Sequence, residues 1–196
     1  MPGVLNRLAL LLLSLTAVAS QANGEVTADD WSRLFNALRT ESWTSAAELS
    51  LDLLARLPES ADDERARLRY TYLSALSGNV VAGELSHDEL RERIAPMIGE
   101  RISLPPRLVA DPSTHGPMFN QIAKTDTDAM VMSIAASSDA SAIHAFEYAR
   151  LAAPVDLAAL AGRAAELSGR LERVDPHGSR TFAARVYLDD ARLDPV

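Results

Sequence analysis

The chain has 196 residues, no cysteine, and a formal charge of −8 at pH 7 from 27 acids against 19 lysines and arginines. Without cysteine there is no disulfide support, no acylated cysteine and no thiol chemistry, so the fold must rest on its apolar core. The negative balance has the wrong sign for a dedicated nucleic-acid or anionic-membrane binder.

Residues 1–22 read as a cleavable export signal. Arg7 supplies one positive charge, Leu8 to Ala19 form an apolar run, and two small-residue frames follow, one ending at Ala19 and one at Ala22. The run of 12 residues is shorter than the ~18 a membrane span needs, and no later segment is long or apolar enough. Removing the segment takes the formal charge to −9 and leaves about 174 residues, expected outside the cytoplasm. Lys124 is the sole lysine and alanine is abundant, which suggests a GC-rich bacterial source. The compartment is then the periplasm if that source is Gram-negative; otherwise the protein is secreted.

Residues 27–98 carry helical signals. Four hydroxyl-x-x-acid pairs, Thr27/Asp30, Ser45/Glu48, Ser60/Asp63 and Ser86/Glu89, have the form of capping boxes. Each precedes apolar residues at helical spacing. Trp31, Leu34, Phe35 and Leu38 form the first face. Ala46, Ala47, Leu49, Leu53, Leu54 and Leu57 form the second, stopped by Pro58. Leu68, Tyr72, Leu73 and Leu76 form the third, with Gly78 as the expected stop, and Leu90, Ile94, Met97 and Ile98 form the fourth. Trp31 is expected in the core, and Trp43 is expected as a hydrophobic staple ahead of the second cap.

Short loops imply antiparallel hairpins, and the starts at Thr27 and Ser60 lie 33 residues apart. With Trp31, Leu34 and Leu38, then Ala47, Leu51 and Leu54, then Pro58, residues 29–98 resemble a tetratricopeptide-like helical repeat. In the next unit Leu68 and Tyr72 fit, while Val80 to Leu85 reads as an insertion and Pro96 interrupts the last helix. The resemblance implies a concave groove for a peptide or protein partner. An ordinary four-helix bundle fits the same periodicity.

From residue 99 to 196 the pattern becomes β-rich. Ile102, Leu104 and Leu108 alternate with polar positions, and Pro105-Pro106 limits that strand to an edge or a bulge. Met130, Met132 and Ile134 share a face of one strand, and Phe182, Ala184, Val186 and Leu188 share a face of another. Pro154 to Gly162 reads as a linker with one helical turn. Leu104, Arg107, Leu108, Asp111-Pro112, His115-Gly116 and Phe119 recur as Leu167, Arg170, Leu171, Asp175-Pro176, His177-Gly178 and Phe182, at offsets of 62 to 64. The echo suggests an internal duplication, residues 99–154 and 162–195. The expected class is therefore α+β: antiparallel helical hairpins, then a β-rich module built as two related small barrels or as a sandwich.

No serine-hydrolase elbow, phosphate loop, dinucleotide fingerprint or helical zinc pair is present. No catalytic residue, metal or cofactor is expected. His115 and His177 with Asp111 and Asp175 would suit a divalent metal if the two turns approached one another, although such residues are common in turns. Asp126-Thr127-Asp128 lacks the other ligands of a calcium loop. On the strand after residue 142, His144, Phe146, Tyr148 and Arg150 fall on one face as a candidate ligand-binding stripe for a sugar or peptide. Glu147 would then lie among small aliphatic side chains and need a partner.

These features point to an exported, non-enzymatic interaction protein, an envelope adaptor or scaffold whose partner is another envelope protein or peptide. The alternatives are a ligand-binding module for envelope sugars or peptides, and a hydrolase using an unrecognised carboxylate pair among acids such as Glu147, Asp189 and Asp190.

Overall fold

The structure is a computed structural model that describes residues 26–111, 113, 119–125, 130–137, 141–179 and 181–196. Helix α1 (Ala28–Arg39) opens on a true capping box, in which the Thr27 hydroxyl accepts from the Asp30 amide and Asp30 reaches back to the Thr27 amide. Glu41, with a positive φ, turns the chain into α2 (Trp43–Arg56). The start of α1 and the end of α2 are tied by Asp30 and Arg56 at 2.9 Å, which makes an antiparallel hairpin. Pro58 follows, and Arg65 donates to the carbonyls of Leu54 and Leu57, covering the exposed C-terminal end of α2.

Two of the four expected boxes are not caps. Ser45 lies inside α2, which starts two residues earlier at Trp43, and α3 (Asp62–Ala82) has Ala61 rather than Ser60 at its N-cap. The helix also runs past Gly78 and ends on Gly83 in the left-handed conformation, so Val80 to Ala82 form its last turn rather than an insertion. Gly78 has a different purpose: a Cβ there would lie 2.3 Å from the Trp43 ring, which rests against the α3 backbone. Trp43 is thus a packing residue between helices, not a staple. Helix α4 (His87–Ile94) has the second true box, Ser86 with Glu89, and Pro96 falls in the 3-10 turn Ala95–Met97 that follows.

The second half forms one mixed sheet. Its strands are β1 (Arg101–Ser103), β2 (Arg107–Val109), β3 (Gln121–Lys124), β4 (Met130–Ala136), β5 (Ile143–Leu151), β6 (Ala164–Ser179) and β7 (Phe182–Pro195). A short α5 (Leu157–Leu160), capped by Asp156, lies between β5 and β6. The order is β1-β6-β2-β3-β4-β5-β7, and the long β6 also pairs with β7 along most of its length. Because β6 pairs with both β2 and β7, the pairings return on themselves through β2-β3-β4-β5-β7-β6, with β1 beside β6, and make one connected mixed sheet rather than two separate small barrels. Pro105 and Pro106 occupy the break between β1 and β2, where no ladder donor is required.

The α+β arrangement agrees with the sequence, but the two halves of the echo are not arranged alike. Leu104 and Leu167 are both buried and directly hydrogen-bonded, Leu104 N to Leu167 O at 2.9 Å. However, β2 and β3, on either side of the first Asp-Pro, pair in parallel, whereas Asp175 and Pro176 lie inside β6, paired with Arg185 and Ala184 of the antiparallel β7, so the two segments are not equivalent turns. Leu108, expected to face inward, is 50% exposed. On β4 the inward side chains are Val131, Ser133 and Ala135, between the more exposed Met130 and Met132.

Helices and sheet share one core. Leu53, Leu68, Leu73 and Leu76 from the helices join Ile102, Ile122, Leu167, Leu171 and Val186 in a continuous apolar cluster. Helix α1 packs on α2, α2 on α3, and α3 on β1, β5 and β7. Trp31 and Leu38 are only partly buried against this cluster, and Phe35 is 61% exposed. The first apolar face is therefore only partly sealed: Leu34 is buried, Trp31 and Leu38 are covered in part, and Phe35 is open.

Candidate functional site

That open face forms one wall of a cleft. Trp31, Leu34, Phe35 and Leu38 lie at i, i+3, i+4 and i+7 on α1, and Arg67, Tyr70, Thr71 and Ser74 repeat the same spacing on α3. Ser103 with Pro105 and Pro106, at the β1–β2 corner, completes a cavity of about 350 Å³, within the size range of ligand pockets. Trp31 and Phe35 stack at its rim with centroids 6.2 Å apart. The polar end is organised by Glu166, which accepts from Arg67 Nη2 at 3.0 Å and from Ser103 Oγ at 2.5 Å. These contacts hold the Glu166 carboxyl below its ordinary range against the opposing effect of partial burial, which is the largest influence on it.

Tyr70 belongs both to the cleft and to a buried polar network behind it. Its hydroxyl donates to Glu147 on β5 and accepts from Arg107 Nη2 of β2 at 2.8 Å. Arg107 also meets both Glu147 oxygens and donates to Ser133 Oγ of β4 at 2.5 Å, while Ser133 donates to Glu147. Glu147 is 0% exposed and Arg107 6%. Burial, followed by the Glu147 carboxylate, drives the Tyr70 phenol well above its ordinary range, so it stays a hydrogen-bond donor. Burial lowers the Arg107 affinity for its proton, but Tyr70 and Glu147 together raise it further, and the guanidinium remains charged. Three strands and one helix converge on these four groups, and a carboxylate, a guanidinium and two hydroxyls satisfy one another there. Sequence reading found only the need of Glu147 for a partner. Neither Arg107 nor Tyr70 carries a local signal, because both reach Glu147 through the tertiary fold.

The strand stripe is placed in two parts. Phe146, Tyr148 and Arg150 face away from the core, alternating with the buried Ala145, Glu147, Ala149 and Leu151 as expected. Tyr148 stacks on Tyr187 of β7 at 5.3 Å, Arg173 lies 3.6 Å from the Tyr187 centroid, and Phe146 meets Phe182 edge-on at 4.7 Å. Arg150 faces Asp189 at 3.7 Å. His144 leaves this group: the β4–β5 register shifts between Ala135 and Ala136, and His144 is 4% exposed with its ring edge-on to Trp43 at 4.8 Å. Burial pushes its imidazole below the ordinary value, opposed by Glu41 and Glu147.

The other candidates do not assemble. Asp111 accepts from the amide and hydroxyl of Ser113, an Asx turn that holds its carboxyl below the usual range. Asp175 meets Arg173 at 3.3 Å, and His177 packs on the Phe182 ring at 4.3 Å. His115 and Asp126-Thr127-Asp128 lie outside the described residues, among which no group of three or more His, Asp or Glu is placed to hold a metal. Nor do Glu147, Asp189 and Asp190 converge: Glu147 is enclosed, Asp189 faces Arg150, and Asp190 lines a separate cavity.

Fold and site together define an α+β protein with an apolar cleft between its helices and one corner of its sheet. Compared with known proteins, the chain matches no family model, no curated sequence and no solved structure.

Proposed function

We propose that this is an exported, non-enzymatic binding protein of the cell envelope, an adaptor that holds a short apolar segment of a partner protein or peptide in the α1/α3 cleft. The observation that carries this reading is the cleft wall itself: Phe35 is 61% exposed and Trp31 is only partly buried beside it, at the mouth of a cavity of about 350 Å³. Aromatic side chains displayed at an apolar concavity are the composition of interaction hot spots. The resemblance of residues 29–98 to a tetratricopeptide-like repeat supports the same use of the helices, since such hairpins hold peptides in grooves.

The test is photo-crosslinking in exporting cells, with the crosslinker at Ser74 inside the cleft and at Glu92 on the exposed side of α4. A discrete adduct from Ser74, missing from Glu92 and lost in Phe35→Asp, is the expected result. Equal adducts at both positions, or an adduct insensitive to Phe35→Asp, would overturn the reading.

A second reading rests on the outer sheet face. The Arg173–Tyr187–Tyr148 stack beside Phe146 presents aromatic and guanidinium surfaces suited to an envelope sugar or peptide. Saturable quenching of tyrosine fluorescence by soluble cell-wall glycan fragments, lost in Tyr148→Ala, would favour this face over the cleft.

A further inference from the structure

A second cavity, of about 280 Å³, lies on the far side of β1 from the Pro105–Pro106 corner, where β1, β6 and β7 run side by side. Its lining includes Arg101, Arg170 and Arg192, one from each strand, together with Glu100, Asp190 and the backbone at Gly169. In a protein of net charge −8 this is a local reversal of sign. We propose that this cavity binds a phosphate group, a tetrahedral oxyanion of charge near −2, independently of the apolar cleft.

Register and partners carry the proposal. Arg101 and Arg170 are direct cross-strand partners, and like charges set opposite each other in a ladder oppose folding unless something neutralises them. The nearby acids do so only in part. Glu100 is committed to Arg69 at 2.5 Å, and Asp63 stands 3.7 Å from Arg101, whose other terminal nitrogen donates to Ser168. Among the described residues the Arg170 side chain donates only to a neutral acceptor, the Gly99 carbonyl, at 3.0 Å. Among the described residues the Arg192 side chain makes no ion pair or hydrogen bond, and with Glu100 held by Arg69 the uncommitted acid of the lining is Asp190.

The backbone is shaped around the same spot. The β6–β7 register shifts between Ser168 and Arg170, Asp190 takes a positive φ of 48°, and a Cβ on Gly169 would come within 3.0 Å of the Asp189 carbonyl. Bulges of this kind re-aim side chains beside binding sites. A carboxylate is satisfied by one guanidinium fork. Guanidiniums arriving from three strands match the several acceptor oxygens of a phosphate.

The test is calorimetric titration of the purified exported protein at low ionic strength with pyrophosphate, inorganic phosphate and malonate. Pyrophosphate and phosphate should bind saturably and raise the unfolding midpoint. Arg170→Ala combined with Arg192→Ala should weaken pyrophosphate by roughly tenfold or more, as expected for losing charge-assisted hydrogen bonds. Asp190→Asn, which removes a repelling charge and keeps a residue tolerant of positive φ, should tighten binding. If the double variant does not fold, the Asp190→Asn comparison decides.

Absence of saturable phosphate and pyrophosphate binding, unchanged affinity in the folded double variant, or malonate binding as tightly as pyrophosphate would each overturn the proposal. Co-sedimentation with phosphatidic-acid vesicles that requires Arg170 and Arg192 would assign the phosphate to a lipid headgroup. Pyrophosphate binding without co-sedimentation would assign it to a soluble phosphate ester. Phe35→Asp should leave these titrations unchanged, which separates failure here from failure of the cleft reading.

Discussion

At the scale of single residues, three positions lie where the fold is most sensitive. Glu147 is wholly buried with Arg107, Tyr70 and Ser133 around it. Replacing it by glutamine strands a buried guanidinium, and Glu147→Gln is expected to cost about 3–5 kcal/mol, against about 1–3 kcal/mol for Tyr70→Phe, which removes one hydroxyl. Urea unfolding of both variants measures the order; a Glu147→Gln loss below roughly 1 kcal/mol would mean that water reaches the carboxylate. Gly78 presents a conflict between local and tertiary preference. Alanine would favour the helix by up to about 1 kcal/mol, but its Cβ would meet the Trp43 ring at 2.3 Å, and overpacking costs about 1–3 kcal/mol. Gly78→Ala should therefore destabilise the parent yet become neutral or stabilising in a Trp43→Leu background, a coupling that a double-mutant cycle detects. His144 adds a pH dependence. Its folded pKa lies below the ordinary 6.5, so the unfolded chain takes up the proton more readily. The contribution of His144 to stability is then full above pH 6.5 and lost as pH falls below it. His144→Phe should flatten the stability difference between about pH 7.5 and about pH 5.

At the scale of elements, the sequence pattern for a helix start was necessary but not sufficient. Thr27/Asp30 and Ser86/Glu89 close reciprocal boxes, whereas Ser45 is helical and Ser60 precedes the actual N-cap of α3. The difference is tertiary, because α2 begins early so that Trp43 can reach Gly78 and His144. Ser86→Ala should lower stability by about 1 kcal/mol, while Ser45→Ala and Ser60→Ala should stay within about 0.5 kcal/mol of the parent, as thermal unfolding would show. Strand periodicity was likewise right in type, since β4, β5 and β7 form over the expected segments. On β4 periodicity did not identify the inward face: Met130, Met132 and Ile134 are the more apolar row, yet the row beside Glu147 is Val131, Ser133 and Ala135, and Ile134 is buried on the other face.

At the scale of the whole molecule, the reading of residues 1–22 as an export signal leads to a mature chain beginning at Ser20 or Asn23, which N-terminal sequencing of exported material would show; recovery of Met1 in a membrane fraction would instead indicate an uncleaved anchor. The class of the fold and the positions of most helices and strands were determined by the sequence itself. Capping residues, prolines and hydrophobic period act over one or two turns of chain, and those distances are visible along a sequence. What only the tertiary structure decided is how distant segments meet. The 40 residues between Arg107 and Glu147, and the 77 between Tyr70 and Glu147, hide a four-group polar network. The first apolar face, legible as Trp31, Leu34, Phe35 and Leu38, gave no sign that α3 and the Pro105–Pro106 corner would stand off and leave it as a cleft. Likewise, the two Asp-Pro segments look alike in sequence, but Asp175 and Pro176 lie within the antiparallel β6–β7 ladder, whereas β2 and β3 on either side of the other pair in parallel. Strand pairing is set by burial across the sheet rather than by local chain preference, so this distinction belongs to the folded molecule alone.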